Sequence, residues 1–366
     1  MNISLTTTSL RLSNQVDWFD DTLYKQVISH GYRNIDWSHI PDEWLLYLFL
    51  HEEPTLGKKR KMNTLKEYFR DIRHFLSYIH DKDSSVRRIH HEELAHYQLQ
   101  LTEQGYKSMT LRRKTAVVKS FLSFLYRKGI IQEDLTRSMK QIAVEKEDLV
   151  NRDFYEEEVQ ALLDYFKKHN WFMYTMLFVL VSTGLRIQEL SSAKWSGVYY
   201  HPEVNLYFIT VVGKRDKVRE VPLFEEVLEA LTEFRSRRGF HSTLEDDGTA
   251  LFPKPNGDAY HYKYLSNEFT NQINHLANTF SFIKRRIDME KQMKNEGKSI
   301  KFKITPHTCR HYTAAYYLAK GADLKAIQNL LDHESSSTTD NYLRRTRKFH
   351  EHAAVKIGGQ FMKNNQ

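Results

Sequence analysis

The chain has 366 residues, more than one ordinary domain needs and enough for two. Lysine and arginine outnumber aspartate and glutamate by 54 to 46, a formal charge of +8, which favours a polyanionic partner, either nucleic acid or an acidic membrane surface. A single cysteine, Cys309, excludes a disulfide within the chain and a cysteine-based zinc cluster, and suits a reducing cytoplasm.

Residues 1–39 are polar and irregular, lack the apolar core of a signal peptide, and read as an N-terminal extension. From Pro41 the pattern is helical. "PDEWLLYLFLHEE" is one short helix, and Asn63 can cap "TLKEYFRDIRHFLSYIHD", where Leu65, Tyr68, Phe69, Ile72, Phe75, Leu76 and Ile79 recur at helical spacing. "HEELAHYQLQLTEQ" stops at Gly105. Ser108 can cap "MTLRRKTAVVKSFLSFLYRK", which stops at Gly129. With the short "IQEDLTRSMKQ" these make an all-helical unit over residues 40–142. The charged segment 143–152 has no stable apolar period and reads as a linker between two independent helical patterns.

The second unit, 153–343, opens with "DFYEEEVQALLDYFKKH", whose leading acids suit a helix N-terminus. "WFMYTMLFVLV", residues 171–181, is far shorter than the roughly 20 residues of a membrane span and reads as a buried helix, broken at Gly184 and restarting as "RIQELSSAKW". "VNLYFITVV" and "KVREVPL" flank "GKRD" as a β-hairpin. Helices follow at 224–238 and 261–280. Residues 284–303 carry eight Lys/Arg against three acids and read as a disordered basic loop or a DNA-tracking segment, the loop being favoured. Two further helices, "HTCRHYTAAYYLAKG" and "ADLKAIQNLLDH", precede a last short one carrying Tyr342, and 344–366 is a tail. The expected fold class is mostly α with a small β-hairpin or sheet: a helical unit followed by a mixed α+β unit.

Two leads fail. "EGKSI" ends like a phosphate loop, but Gln292 stands where the loop needs its first glycine. His307 and His311 share a helix face, yet Cys309 between them points nearly opposite and the glutamate of H-E-x-x-H is missing, so no metal site is expected. Cys309 is most simply a small core residue.

Other residues carry more. In "TGLRIQEL", Arg186 follows a glycine-broken helix, where a side chain can project into a cleft, and Glu189 one turn on can hold it. "GKRDKVREVPL" puts Lys214 at a hairpin tip. "HTCRH" sets His307 and Arg310 one turn apart, and His333 precedes Tyr342 by nine residues. Taken singly, each is a surface charge or a packing residue.

Together they resemble the tyrosine recombinase (phage integrase) family over nearly the whole chain from residue 40, most specifically over 183–223 and 305–343. The family's T-G-L-R-x-x-E is matched by Arg186 and Glu189, its hairpin lysine by Lys214, its H-x-x-R by His307 and Arg310, and its later histidine and tyrosine by His333 and Tyr342. Asp332 stands where glycine is usual and Cys309 where leucine is usual, and neither change removes a reactive group.

The resemblance implies a site-specific DNA recombinase of integrase or transposase type. The residues fit that chemistry. Arg186 and Arg310 can grip both non-bridging oxygens of a phosphodiester. Tyr342 is the expected nucleophile, a weak one at its ordinary pKa near 10, with His307 as its base. Lys214 is the expected acid for the departing 5′ oxygen, and His333 positions the phosphate. The expected intermediate is a 3′-phosphotyrosine, which stores the bond energy, so neither ATP nor any cofactor or metal is expected. The expected partners are double-stranded recombination sites and, by the resemblance, three further copies of the chain in a tetramer on DNA, with 344–366 docking on a neighbour. No membrane partner is expected, and the expected location is the cytoplasm, on the nucleoid when DNA is bound. Candidate phosphate contacts in the first unit are Lys58, Lys59, Arg60, Lys61, Arg112, Arg113, Lys114 and Lys119. A non-catalytic DNA-binding protein and a type IB topoisomerase are the alternatives. The presence of all six polar positions weighs against the first, and the domain order and motif spacing against the second.

Overall fold

The computed structural model describes residues 17–29, 37, 40–54, 57, 59–143, 154–213, 216–240, 248–295 and 302–332. Lys58, Lys214, His333, Tyr342, the tail 344–366 and most of the linker therefore lie outside the described residues. The chain divides into two compact units, Met1–Leu149 and Val150–Gln366, each with its own apolar core.

The first unit is helical: α1 (Thr22–Ser29), α2 (Asp42–His51), α3 (Met62–His80), α4 (His91–Glu103) and α5 (Ser108–Arg127). Every residue from Trp44 to Leu50 is buried, so α2 is surrounded on all sides. Onto it pack the apolar stripes of α3 (Ile72, Phe75, Ile79) and α5 (Val118, Phe121, Leu125). Two expected caps shift: α3 begins at Met62 and α5 at Ser108, with Lys61 and Lys107 as the flanking extended residues. The reading of 1–39 as an irregular extension is corrected where the chain is described. Thr22–Ser29 form α1, whose Tyr24 is buried, Tyr47 donates its hydroxyl to the Asp20 carbonyl at 2.7 Å, and Trp18 packs on Phe69 with ring centroids 4.9 Å apart. Short polar runs hid the sparse aromatic anchors that dock this segment.

Three of the candidate phosphate contacts, Arg60, Arg113 and Lys114, are engaged within the unit itself. Arg60 lies over the Phe49 ring, 4.8 Å from its centroid, and donates to the carbonyls of Phe49, Leu50 and Glu52, so it closes the open end of α2. Lys114 is 6% exposed and pairs at 3.3 Å with Asp71, a fully buried carboxylate on α3 that Arg113 also holds. A buried carboxylate needs such partners, and the two cations are committed to it. Lys59, itself exposed, pairs with Asp21 at 2.5 Å; Lys61 and Arg112 are exposed, and Lys119 is half-buried.

The second unit comprises α6 (Glu156–His169), α7 (Trp171–Thr183), α8 (Ile187–Ser192), a three-stranded sheet, α9 (Glu225–Ser236), α10 (Tyr262–His275), α11 (Ser281–Asn295), α12 (Pro306–Ala319) and α13 (Leu324–Leu331). The sheet is antiparallel in the order β1 (Val198–His201), β2 (Leu206–Val212), β3 (Val218–Leu223), with Ile209 opposite Val221 and Val212 opposite Val218. The hairpin matches expectation, while β1 adds a strand that the four residues "VYYH" signalled too weakly. The buried helix is α7, packed between α6, α9 and α12. The favoured reading of 284–303 as a loop is corrected over 284–295, which form most of α11. That helix is held by Arg286, which pairs with Glu158 of α6 at 2.7 Å, and by Ile283, which is 1% exposed.

Gly184 closes α7 with φ +63, and a β-carbon there would meet Leu331 Cδ2 at 2.6 Å and Thr313 Cγ2 at 3.2 Å. Both backbone and space demand glycine. Gly184→Ala is expected to lower the unfolding free energy by about 2–5 kcal/mol, the sum of a left-handed alanine and an overpacked contact. Chemical denaturation of the full chain measures it, and a loss below 1 kcal/mol would mean that α13 can move away freely.

Candidate active site

The turn that Gly184 makes is the start of the site. It directs the chain from α7 into α8 and leaves Arg186 extended just before the first turn of α8. The Glu189 carboxylate reaches back to it twice: Arg186 donates its backbone N–H to Oε2 and its Nη1–H to Oε1, both at 2.8 Å. The second guanidinium nitrogen donates to the Asp332 carbonyl at 3.3 Å, tying α8 to the end of α13 across 146 residues of sequence.

Glu189 is 2% exposed and also accepts from Arg219 at 2.8 Å. Burial pushes its carboxyl up, but the Arg219 bond and charge and the Arg186 contacts outweigh that and hold it below its ordinary value. Arg219 was not among the sequence candidates. It lies on β3, where alternation places it on the buried face with Val221 and Leu223, and it also donates to the Leu330 carbonyl. That signal was legible: an arginine at a core position of a strand requires a buried acid, and Glu189 was already marked.

His307 and Arg310 come from α12, whose first turn begins with Pro306 after an extended Thr305. His307 is exposed, whereas Arg310 is 1% exposed. The Arg310 guanidinium donates to the Gly184 carbonyl at 2.7 Å and to the Leu331 carbonyl, linking the Arg186 turn to the end of α13. Cys309 is fully buried on the other side of α12, and burial pushes its thiol far up, leaving it an inert core residue.

The outcome is a single cleft of about 380 Å³ lined by Arg186, His307 and Arg310, together with Gln188 of α8 and Lys263 and Asn267 of α10. The positive N-terminal end of α12 opens into it. Two guanidiniums, one imidazole and a helix N-terminus on one concavity favour an anion there. The base of the β2–β3 hairpin lies against the same network. Gly213 donates to the Lys217 carbonyl at 2.8 Å, and a β-carbon at Gly213 would sit 3.3 Å from Glu189 Oε1 and 3.5 Å from Asp332 Oδ2. Asp332 ends α13 at φ 50 and ψ 54, which explains why glycine is usual there, and its carboxylate pairs with Lys217. Of the expected catalytic set, the structure brings Arg186, His307 and Arg310 together with Glu189. Lys214, His333 and Tyr342 fall outside the described residues.

Comparison with known proteins gives a consistent picture. The sequence model of the Phage integrase family matches residues 152–348, and that of the Phage integrase, N-terminal SAM-like domain matches residues 42–129. The tyrosine recombinase XerD of Halalkalibacterium halodurans is 28% identical over 312 residues, covering 82% of this chain and 93% of the relative. Among solved structures, the XerH site-specific recombinase in a post-cleavage complex with palindromic difH substrate aligns with a TM-score of 0.59 at 19% identity, over 95% of this chain and 92% of that one. The Tn1549 transposon integrase in complex with a circular intermediate DNA aligns with a TM-score of 0.58 at 18% identity, over 81% of this chain and 94% of that one. At these identities the structural likenesses establish the shared fold.

Proposed function

Because the chain belongs to the phage integrase family, whose members are tyrosine recombinases, we propose that the cleft holds the scissile phosphate of a recombination site and that Tyr342 attacks it. The protein is a site-specific recombinase that cuts and rejoins DNA through a tyrosine. The residue assignments rest on one observation: Arg186, His307 and Arg310, drawn from distant parts of the sequence, line one cleft.

In this reading Arg186 and Arg310 bind the two non-bridging oxygens and stabilise the charge that builds at phosphorus. His307 accepts the phenol proton as Tyr342 forms its bond to phosphorus. The bond from phosphorus to the 5′ oxygen breaks, and Lys214 donates a proton to that oxygen. His333 hydrogen-bonds the phosphate. Strand joining reverses these steps with a 5′ hydroxyl from another strand, so the energy of the broken bond is kept in the phosphotyrosine. Double-stranded recombination sites are the partner, and four protomers on two sites make the exchange reciprocal. Among the described residues no helix is long and apolar enough to cross a membrane.

The test is a nicked suicide substrate incubated with wild-type protein in EDTA and without nucleotide. Protein that stays attached in detergent, through a 3′ phosphate, is the expected result; a full-length protein that binds the site and never forms the adduct overturns the reading. Lys214→Ala should slow cleavage by about 100-fold or more, the usual contribution of a positioned acid. A 5′-thiol leaving group, which needs no proton, should restore the rate, and a defect that persists with sulfur removes Lys214 from the acid role.

A further inference from the structure

The outer face of α10 is built of residues that a helix in water does not favour. Lys263, Asn267, Thr270, Asn271 and Asn274 recur at intervals of three and four, so they fall within about 100° of one another around the helix, while Leu265, Phe269 and Ile273 hold its other side in the core. Lys263, Asn267 and Asn271 are exposed and Asn274 is half-buried. Among the described residues, the side chains of Lys263, Asn267, Asn271 and Asn274 form no hydrogen bond or ion pair. Asparagine is one of the poorer helix formers, and a solvated face is better served by glutamate, glutamine or lysine. By contrast α9 exposes Glu225, Glu226, Glu229 and Glu233. The one acid in α10, Glu268, lies off the amide line and accepts from Gln272 at 2.8 Å. The line therefore presents amides and a lysine, with no carboxylate to repel a phosphate. It also starts in the cleft: Lys263 and Asn267 line that cavity with Arg186, His307 and Arg310, and α10 packs on both α8 and α12.

We propose that α10 is a base-reading helix: Asn267 and Asn271 each hold an adenine by its major-groove edge beside the scissile phosphate, and Lys263 pairs with a neighbouring phosphate. This rests on the assignment of the cleft to the scissile phosphate. An amide matches adenine at two points, its oxygen accepting from N6–H and its nitrogen donating to N7, whereas guanine offers an acceptor at both positions. A major groove about 12 Å wide admits one helix. Asn267 and Asn271 stand about 6 Å apart along the axis, close to two base-pair steps of about 3.4 Å each, so one helix can reach two bases on the same side of the cleavage point.

The experiment maps the cleavage point of the recombination site by its detergent-stable adduct, randomises about one helical turn of duplex next to that point, and sequences the DNA bound by each full-length protein. The wild type should select adenine at two positions about two base pairs apart. Asn267→Ala should lose the preference nearer the cleavage point and Asn271→Ala the farther one. Each should weaken binding to the selected site about 5- to 100-fold and leave the other position as it was. Lys263→Ala should weaken binding to every sequence alike and lower the salt slope by about one. Because both asparagines are exposed, the Tm of their variants should equal that of the wild type, which separates base reading from folding. Preferences that persist in both asparagine variants, or a loss spread evenly over all positions, overturn the base-reading role while adduct formation by the wild type leaves the recombinase reading intact. A wild type that binds its site and forms no adduct overturns both.

Discussion

Tyr342→Phe is expected to bind its recombination site as tightly as the wild type and to form no covalent adduct on a suicide substrate. The substitution deletes one oxygen, the atom expected to bond phosphorus, and leaves the ring. Loss of a nucleophile costs at least about 10⁴-fold in rate, which places residual cleavage below detection on a gel. In the proposed mechanism Arg186 and Arg310 at the cleft supply positive charge to the phosphate, and the exposed His307 at the same concavity takes the phenol proton. Phosphate affinity comes from those cations and from the DNA backbone contacts, so it should survive the loss of the hydroxyl. Retained binding with no adduct, measured by gel shift and by detergent-resistant labelling, is the expected pair of results. A variant that loses DNA binding together with cleavage would assign Tyr342 to packing, and adduct at the wild-type level would move the nucleophile elsewhere.

The second large effect falls on folding. Glu189→Ala should lower the unfolding free energy at neutral pH by about 3–5 kcal/mol, the usual result of removing one partner from a buried ion pair. Arg219 would be left buried without its acid, and Arg186 would lose both of its bonds to Glu189, keeping only the longer one to the Asp332 carbonyl. Glu189→Gln keeps the shape but turns an N–H toward an arginine donor, so it should recover only part of the loss. The pH dependence has a definite sign. The folded carboxyl titrates below its ordinary value of 4.5, so its contribution is complete above that value and is lost as pH falls through the folded value. The gap between wild type and Glu189→Ala should therefore narrow in acid. An unchanged denaturation midpoint at pH 7, or a gap that widens in acid, would show that the carboxylate is not the keystone of this network. Below the melting temperature of the variant, cleavage should still be slow, because Arg186 no longer has a fixed direction.

Legibility in the sequence followed the type of physical signal. Long amphipathic periods, such as Leu65 to Ile79, and the all-apolar run of α7 reported their helices directly, because burial sets the spacing of apolar residues. Gly184 marked the end of α7 because a left-handed residue with no room for a β-carbon leaves only one side chain possible. Arg186, His307 and Arg310 stood out in the sequence by type and spacing, and the fold lines one cleft with them. Docking of the α1 segment, the strand β1 and the helix α11 were not, because their anchors are few and their partners lie far away in sequence.

The charged residues divide the two kinds of knowledge most clearly. From the sequence, Arg60, Lys114 and Arg310 are alike: cations in basic neighbourhoods. In the folded chain Arg60 closes the end of α2, Lys114 answers a buried aspartate, and Arg310 lies at the cleft while holding the Gly184 and Leu331 carbonyls. Residue type and spacing determined which chemistry this protein performs, because few side chains can attack or hold a phosphate. Only the tertiary structure decided which cations remain available for it, because a charge is committed by whatever the fold places within about 3 Å of it, and that distance is set by packing between elements rather than by position along the chain.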